Sequence, residues 1–150
     1  MGRIETVDMD LHSRYQFKAD HKLRSRLLHQ FQRRKQKLFE SVGTKCVLCG
    51  HEHANSLHHL VPVGYANDTI ADKINTPINV VPCCHNLQID DIRKQCHFRL
   101  NGASWVVIEM YKKFWYEWTL EQWASTILKW IDDHRDELMK HTAREIVKSQ

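Results

Sequence analysis

The residues best suited to chemistry lie between Cys46 and His97. All five cysteines fall there, together with His51, His53, His58, His59, His85 and His97. Cys46 and Cys49 form a CxxC pair followed by Gly50, a knuckle whose glycine lets the backbone turn so that both thiolates face one soft cation. Cys83, Cys84 and Cys96 offer further thiolates, and His51 and His53 lie within reach. A four-ligand zinc site is therefore expected, with its remaining ligands open at this point. His58 and His59 sit in the apolar run Leu57 to Val63, which reads as a short strand. Successive strand side chains point to opposite faces. One imidazole can thus bind a cation while the other meets a water as a base. The alternative is a pair of structural histidines.

The surrounding chain must position these groups. Residues 13–40 read as a helix, with Leu23, Leu27 and Phe31 in one stripe and Leu28 widening it. Arg24, Arg26, Arg33, Arg34 and Lys37 fill the other positions, with Asp20 the only acid between Lys18 and Lys37. Such a helix can neutralise phosphates, or it is an ordinary solvated face. Residues 64–77 read as a polar loop, and residues 78–82 as a second short strand. Residues 83–97 read as helix, Leu100 to Gly102 as a turn, and Trp105 to Ile108 as a strand or the start of a buried helix. Thr119 and Gln122 form a capping-box pattern ahead of Leu120, Trp123, Ala124, Ile127, Leu128 and Ile131. Tryptophans at such spacing pack a core or a subunit contact more often than they stack nucleotides.

The length of 150 residues suits one domain, spanning 1–150. Its parts are the basic helix at 13–40, a central region at 45–100 and a helical region at 103–150. The 22 Lys+Arg against 18 Asp+Glu leave a net charge of +4, with the basic excess towards the N-terminus. No secretory signal and no membrane-length apolar run stand out, and an odd number of cysteines beside histidines favours metal over disulfides. The expectation is a cytoplasmic protein, of a bacterial or phage-infected cell, with no membrane partner.

Three pieces in order, KCVLCG, HHLVP and INVVPCC, make residues 45–88 resemble the HNH nuclease family. The resemblance implies an α+β, mostly helical fold: a ββα-metal finger with a CxxC zinc knuckle, flanked by the basic helix and C-terminal helices. It implies His58 as ligand of a catalytic Mg²⁺ or Mn²⁺, His59 as general base, and Asn79 as the asparagine that fastens the loop and orients the base. Structural Zn²⁺ is expected on Cys46, Cys49, Cys84 and one more ligand, with Cys96 favoured and Cys83 as alternative. Leu87 and Gln88 stand where the family places its second helix cysteine and its histidine. His85 is the first candidate for the second ligand of the catalytic cation. His97, in the Cys96-His97 dipeptide, is the other, and it serves only if the chain turns back near Ile89–Asp91. A shifted register would instead use Asn75 with Cys84-His85.

The implied activity is hydrolysis of DNA phosphodiester bonds, by nicking or double-strand cutting. Arg24, Arg26, Arg33, Arg34 and Lys37 would contact the backbone, and a homodimer through the Trp-rich C-terminal helices would allow two cuts. The rival is a zinc-stabilised module that binds nucleic acid or protein and has lost catalysis. A third reading is an unrelated helical protein with a structural zinc.

Overall fold

A computed structural model describes residues 20–85 and 95–150. Residues 13–19 of the expected basic helix, and Leu87, Gln88 and the expected turn at Ile89–Asp91, lie outside the described residues.

Helix α1 spans His21–Val42. Asp20 is its N-cap and accepts the Leu23 N–H at 2.8 Å, so the helix starts later than the sequence pattern implies. Its last turn closes where the Gly43 N–H reaches the Phe39 carbonyl at 2.8 Å. Gly43 has φ 82° and ψ −174°, a backbone region essentially restricted to glycine. Leu27 and Leu38 are buried, but Leu28 is exposed and does not widen the stripe. At about 100° per residue, Leu28 turns off the line of Leu23, Leu27 and Phe31.

Strand β1 (Ser56–His59) pairs antiparallel with β2 (Val80–Cys83), His58 opposite Val81 and His59 opposite Val80. Helix α1 packs against one face of the pair, where Leu38, Leu57 and Val80 form a cluster with Phe31, Phe39 and Val42. The other face looks to the main core. The strands are shorter than the apolar runs suggest, and Ile78 is exposed outside β2.

The connection between the strands is not a simple polar loop. It contains a 3-10 turn at Val63–Tyr65 and the short helix α2 at Ala71–Ile74. Tyr65, Ala66, Ile70, Ala71 and Ile74 are buried. Its polar letters alternate with these anchors, and composition alone hides the packing.

Helix α3 runs from Cys96 to Met110. It replaces the turn expected at Leu100–Gly102 and takes the buried-helix alternative at Trp105–Ile108, while residues 86–94 of the helix expected across 83–97 lie outside the described residues. Cys83 closes β2 instead. Leu100, Ala103, Ser104, Val107 and Ile108 are buried at helical spacing, so tertiary packing overrides the local β preference. Gly102 sits where α3 meets the last helix; a Cβ there would stand 3.8 Å from the Ala143 Cβ.

After a 3-10 turn at Lys112–Phe114 come α4 (Leu120–Asp133), α5 (Arg135–Leu138) and α6 (Ala143–Lys148). The Thr119/Gln122 capping box forms as expected, and a second one, Thr142 with Glu145, starts α6. Leu120, Trp123, Ala124, Ile127 and Ile131 are buried. Trp115 and Trp123 lie inside the core, and Trp118 stacks on Phe114 with ring centroids 5.0 Å apart. Among the described residues, no helix is long and apolar enough to cross a membrane.

Candidate metal and imidazole centre

Four cysteines converge from three separate pieces of chain. Cys46 and Cys49 come from the knuckle, Cys84 follows β2, and Cys96 is the first residue of α3. Their sulfurs all lie within 4.8 Å of one another, a group that can hold a metal ion. The Cys49 and Cys84 sulfurs are 3.7 Å apart. Thiolates about 2.3 Å from a tetrahedral zinc would stand roughly 3.8 Å from each other, so the donor set fits zinc. The knuckle is held to the strand pair by the Val47 N–H on the Pro82 carbonyl, and folded on itself by the Gly50 N–H on the Cys46 carbonyl. Gly50 has φ 78°, the conformation that the turn after a CxxC demands.

The electrostatics favour thiolate at one corner. A hydrogen bond from the Cys96 thiol, outweighing burial and helped by backbone N–H groups, brings Cys46 down to about 4. Burial and then the Cys46 charge push Cys84 up to about 12. Cys96, which gives its hydrogen bond to Cys46, is raised. A divalent cation would remove the mutual repulsion among thiolates held this close.

Cys83 stays outside this group. It is the last residue of β2, fully buried, with burial raising its thiol and a hydrogen bond to Ser56. Strand alternation turns Cys83 and Cys84 to opposite sides, which decides between two adjacent candidates. His51 and His53 are not members either; the His51 contribution to the knuckle is its carbonyl, which accepts the Cys46 N–H at 2.8 Å.

A second cluster, of imidazoles, adjoins the first. His58 faces α3, fully buried, its Nε2 2.9 Å from the Ser104 Oγ. The His97 ring lies 5.6 Å from it, and the His85 ring 4.9 Å beyond. The Nδ1 atoms of His85 and His97 are 2.7 Å apart. Two neutral imidazoles that close share one proton, or turn both lone pairs towards one cation. His85 and His97, alternatives in the sequence, are therefore neighbours. Asn55 clamps the His85 backbone with two bonds of 2.7 Å, and the His97 N–H donates to the Cys84 carbonyl at 3.1 Å. Burial, followed by neighbouring imidazoles, lowers both His58 and His97, which keeps them neutral as metal ligands must be.

His59 points the other way, towards α1. Its Nε2 is 2.8 Å from the Asn75 Oδ1, and the Phe31 ring meets it edge-on at 4.6 Å. The Asn75 amide nitrogen donates to the Leu27 carbonyl and to Gln30 Oε1. That orientation leaves the Asn75 oxygen for His59, so the His59 proton sits on Nε2 and the lone pair on Nδ1. Burial pulls His59 down to about 4, against the Asn75 bond, which raises it.

Asn79 does not orient this ring. Its side chain accepts from the Val61 N–H and donates to the Val61 and Ile74 carbonyls, fastening both ends of the connection. The fastening role sits on Asn79 and the orienting contact on Asn75. Sequence reasoning also passed over Ser104 and Asn55. Ser104 is legible afterwards as the polar member of an otherwise apolar buried face of α3.

Comparison with protein-family models, curated proteins and solved structures finds no match for this chain.

The five expected phosphate-contacting cations do not share a face. Arg26, Arg33 and Lys37 fall with Lys22 and His29 on one outward stripe of about 80° of arc. His21, Lys22, Ser25, Arg26, His29 and Arg33 line a shallow groove along it. Arg34 instead reaches inward, its Nη1 donating to the Asn75 carbonyl at 3.3 Å. Arg24 is exposed on the first turn, away from that stripe.

Proposed function

We propose that this chain is a metal-dependent endonuclease of the HNH type, hydrolysing DNA phosphodiester bonds from a ββα-metal finger. The observation that carries the reading is the position of Cys96-His97. One dipeptide at the start of α3 completes the cysteine group and brings an imidazole beside His58. Helix α3 packs on β1, a contact that supports the reading.

His58, with His85 or His97, would hold the cation. That cation would stabilise charge on the phosphate and on the departing oxygen. Imidazole donors suit zinc, nickel or iron better than magnesium or manganese, which prefer carboxylate and water. The metal order expected is therefore Ni²⁺ or Zn²⁺ ahead of Mn²⁺ and Mg²⁺. His59 takes a proton from the attacking water on Nδ1, while its Nε2–H stays on Asn75. The water oxygen then bonds to phosphorus as the P–O3′ bond breaks. The outward stripe of α1 adds sequence-neutral phosphate contacts. One centre cuts one strand, so a duplex break takes two copies or two binding events.

The test is nicking of supercoiled plasmid across a panel of divalent cations, by wild type and His59→Ala. Losing a general base typically costs about 10²–10⁴-fold. Equal nicking by both proteins removes His59 from the mechanism.

The zinc-stabilised binding module is the second reading. It is favoured by the satisfied surroundings of His59, held by Asn75 and Phe31, and by the absence of a carboxylate from the imidazole cluster among the described residues. Nucleic-acid binding without cutting, under every cation tried, would establish it.

A further inference from the structure

We propose that the groove between α3 and α6 binds an unpaired nucleotide of the nucleic acid, its base against Phe98 and Trp105 and its phosphate on Arg99 and Arg144. The proposal takes nucleic acid as the partner from the nuclease reading and adds where and in what form it is gripped.

The groove is concave and about 580 Å³, within the roughly 300–1,000 Å³ of small-ligand clefts. Phe98 is 67 % exposed at its edge, an unusual position for a phenylalanine one residue after a buried-cluster histidine. Trp105 lines the floor, steadied on its other side by an edge-on contact with Tyr65 at 4.9 Å. Arg99 spends only Nη2, on Gln95 Oε1 at 2.8 Å. Its Nε and Nη1 are buried with no hydrogen-bond partner among the described residues. Buried, unmet N–H donors on a guanidinium are costly, and turning the Arg99 guanidinium outward to an anion in the groove would satisfy them, in competition with the Glu145 carboxylate that already feels its charge. Arg144 and Lys148 continue the positive charge along α6. Glu109, at the far end, lies 3.6 Å from Lys112.

Aromatic faces between cations suit single-stranded nucleic acid, because an unpaired base offers its π-face and a duplex does not. Position on the helix selects this occupant over an acidic peptide. On α3, Ser104 and His97 face the imidazole cluster, and Phe98 and Trp105 face the groove. Asn101 lies between: it lines the groove, one helical turn after His97. A strand laid in the groove therefore runs along the side of α3 next to the imidazole cluster.

The test is binding of a 5′-fluorescein-labelled twelve-residue oligo-dT by zinc-loaded protein without added divalent cation. Phe98→Ala should weaken binding about tenfold, as expected for loss of one stacked base. Arg144→Gln should weaken it and flatten the log-log salt slope by about 0.7. Both positions are exposed, so zinc content and melting temperature should match wild type. Wild-type affinity in both variants overturns the proposal. So does groove binding of a Glu/Leu peptide, lost in Phe98→Ala, by a protein that ignores oligo-dT. Plasmid nicking with no oligo-dT binding defeats the groove and spares the nuclease. Groove binding with no nicking under any cation does the reverse.

Discussion

The cysteine group and the histidine group share a backbone but are finished differently. Both take one contribution from beside β2 and one from the start of α3, through Cys84-His85 and Cys96-His97. The four sulfurs all lie within 4.8 Å of one another, with the Cys49–Cys84 pair at the spacing of a closed tetrahedral site. The imidazoles are arranged differently: His58 is hydrogen-bonded to Ser104, and His85 and His97 meet each other. A closed site holds a fold together, whereas a site with ligands still turned to protein partners has positions to give to something else. Adjacent residues can thus differ sharply in what their loss would do.

The largest effect should separate Cys96 from His97. Cys96→Ser should lose most bound zinc, which elemental analysis reads, and should unfold at far lower temperature, because structural zinc supplies folding energy outright. His97→Ala should keep about one zinc per chain and melt near wild type. Similar loss of zinc in both would erase the distinction between the groups.

Next in size is the pair of asparagines. Asn79→Ala removes three bonds to buried backbone groups and should cost about 3 kcal/mol in denaturant unfolding. Asn75→Ala should cost less stability, yet reduce plasmid nicking by freeing the His59 ring. Equal stability loss with unchanged nicking would make Asn75 a purely structural residue.

Acid should act through the imidazoles. His58, His59 and His97 are lowered in the fold, His59 to about 4, so the unfolded chain binds more protons below about 6.5. Their contribution is complete above that pH and is lost as pH falls from there towards the folded values. Melting temperature should therefore drop from pH 7 to pH 5, and drop less in His59→Gln. An identical drop in that variant would assign the acid sensitivity elsewhere.

The smallest expected effect distinguishes two neighbouring arginines. Arg34→Ala, which breaks the bond to the Asn75 carbonyl, should cost up to about 1 kcal/mol. Arg33→Ala should leave stability unchanged and act only on the salt dependence of nucleic-acid binding.

Much of this arrangement was legible where chemistry is local. The CxxC knuckle, the opposed faces of His58 and His59, and the Thr119 capping box each depend on a few adjacent residues. Cys46, Cys49 and Cys84 are expected from the sequence with the fourth ligand open between Cys96, favoured, and Cys83, and Cys96 is the one that converges with them. What failed was decided by distant packing. Trp105 to Ile108 carry strand preference, yet Leu100, Ala103 and Val107 bury one helical face. The 64–77 segment looks polar because its anchors are interspersed. Asn75 and Asn79 are both plausible in sequence, and only the fold divides orienting from fastening between them.

The Asn79 clamp has a consequence for what the chain can accommodate. One side chain ties Val61 to Ile74, so the pairing of His59 with Val80 does not depend on the length of chain between the clamped points. The tip of that excursion, at Asp68 and Thr69, is exposed. A cut or an added peptide placed there would disturb only the small Asn67 turn, leaving the two histidine-bearing faces in register. The connection is thus the natural port through which this scaffold could be lengthened or labelled.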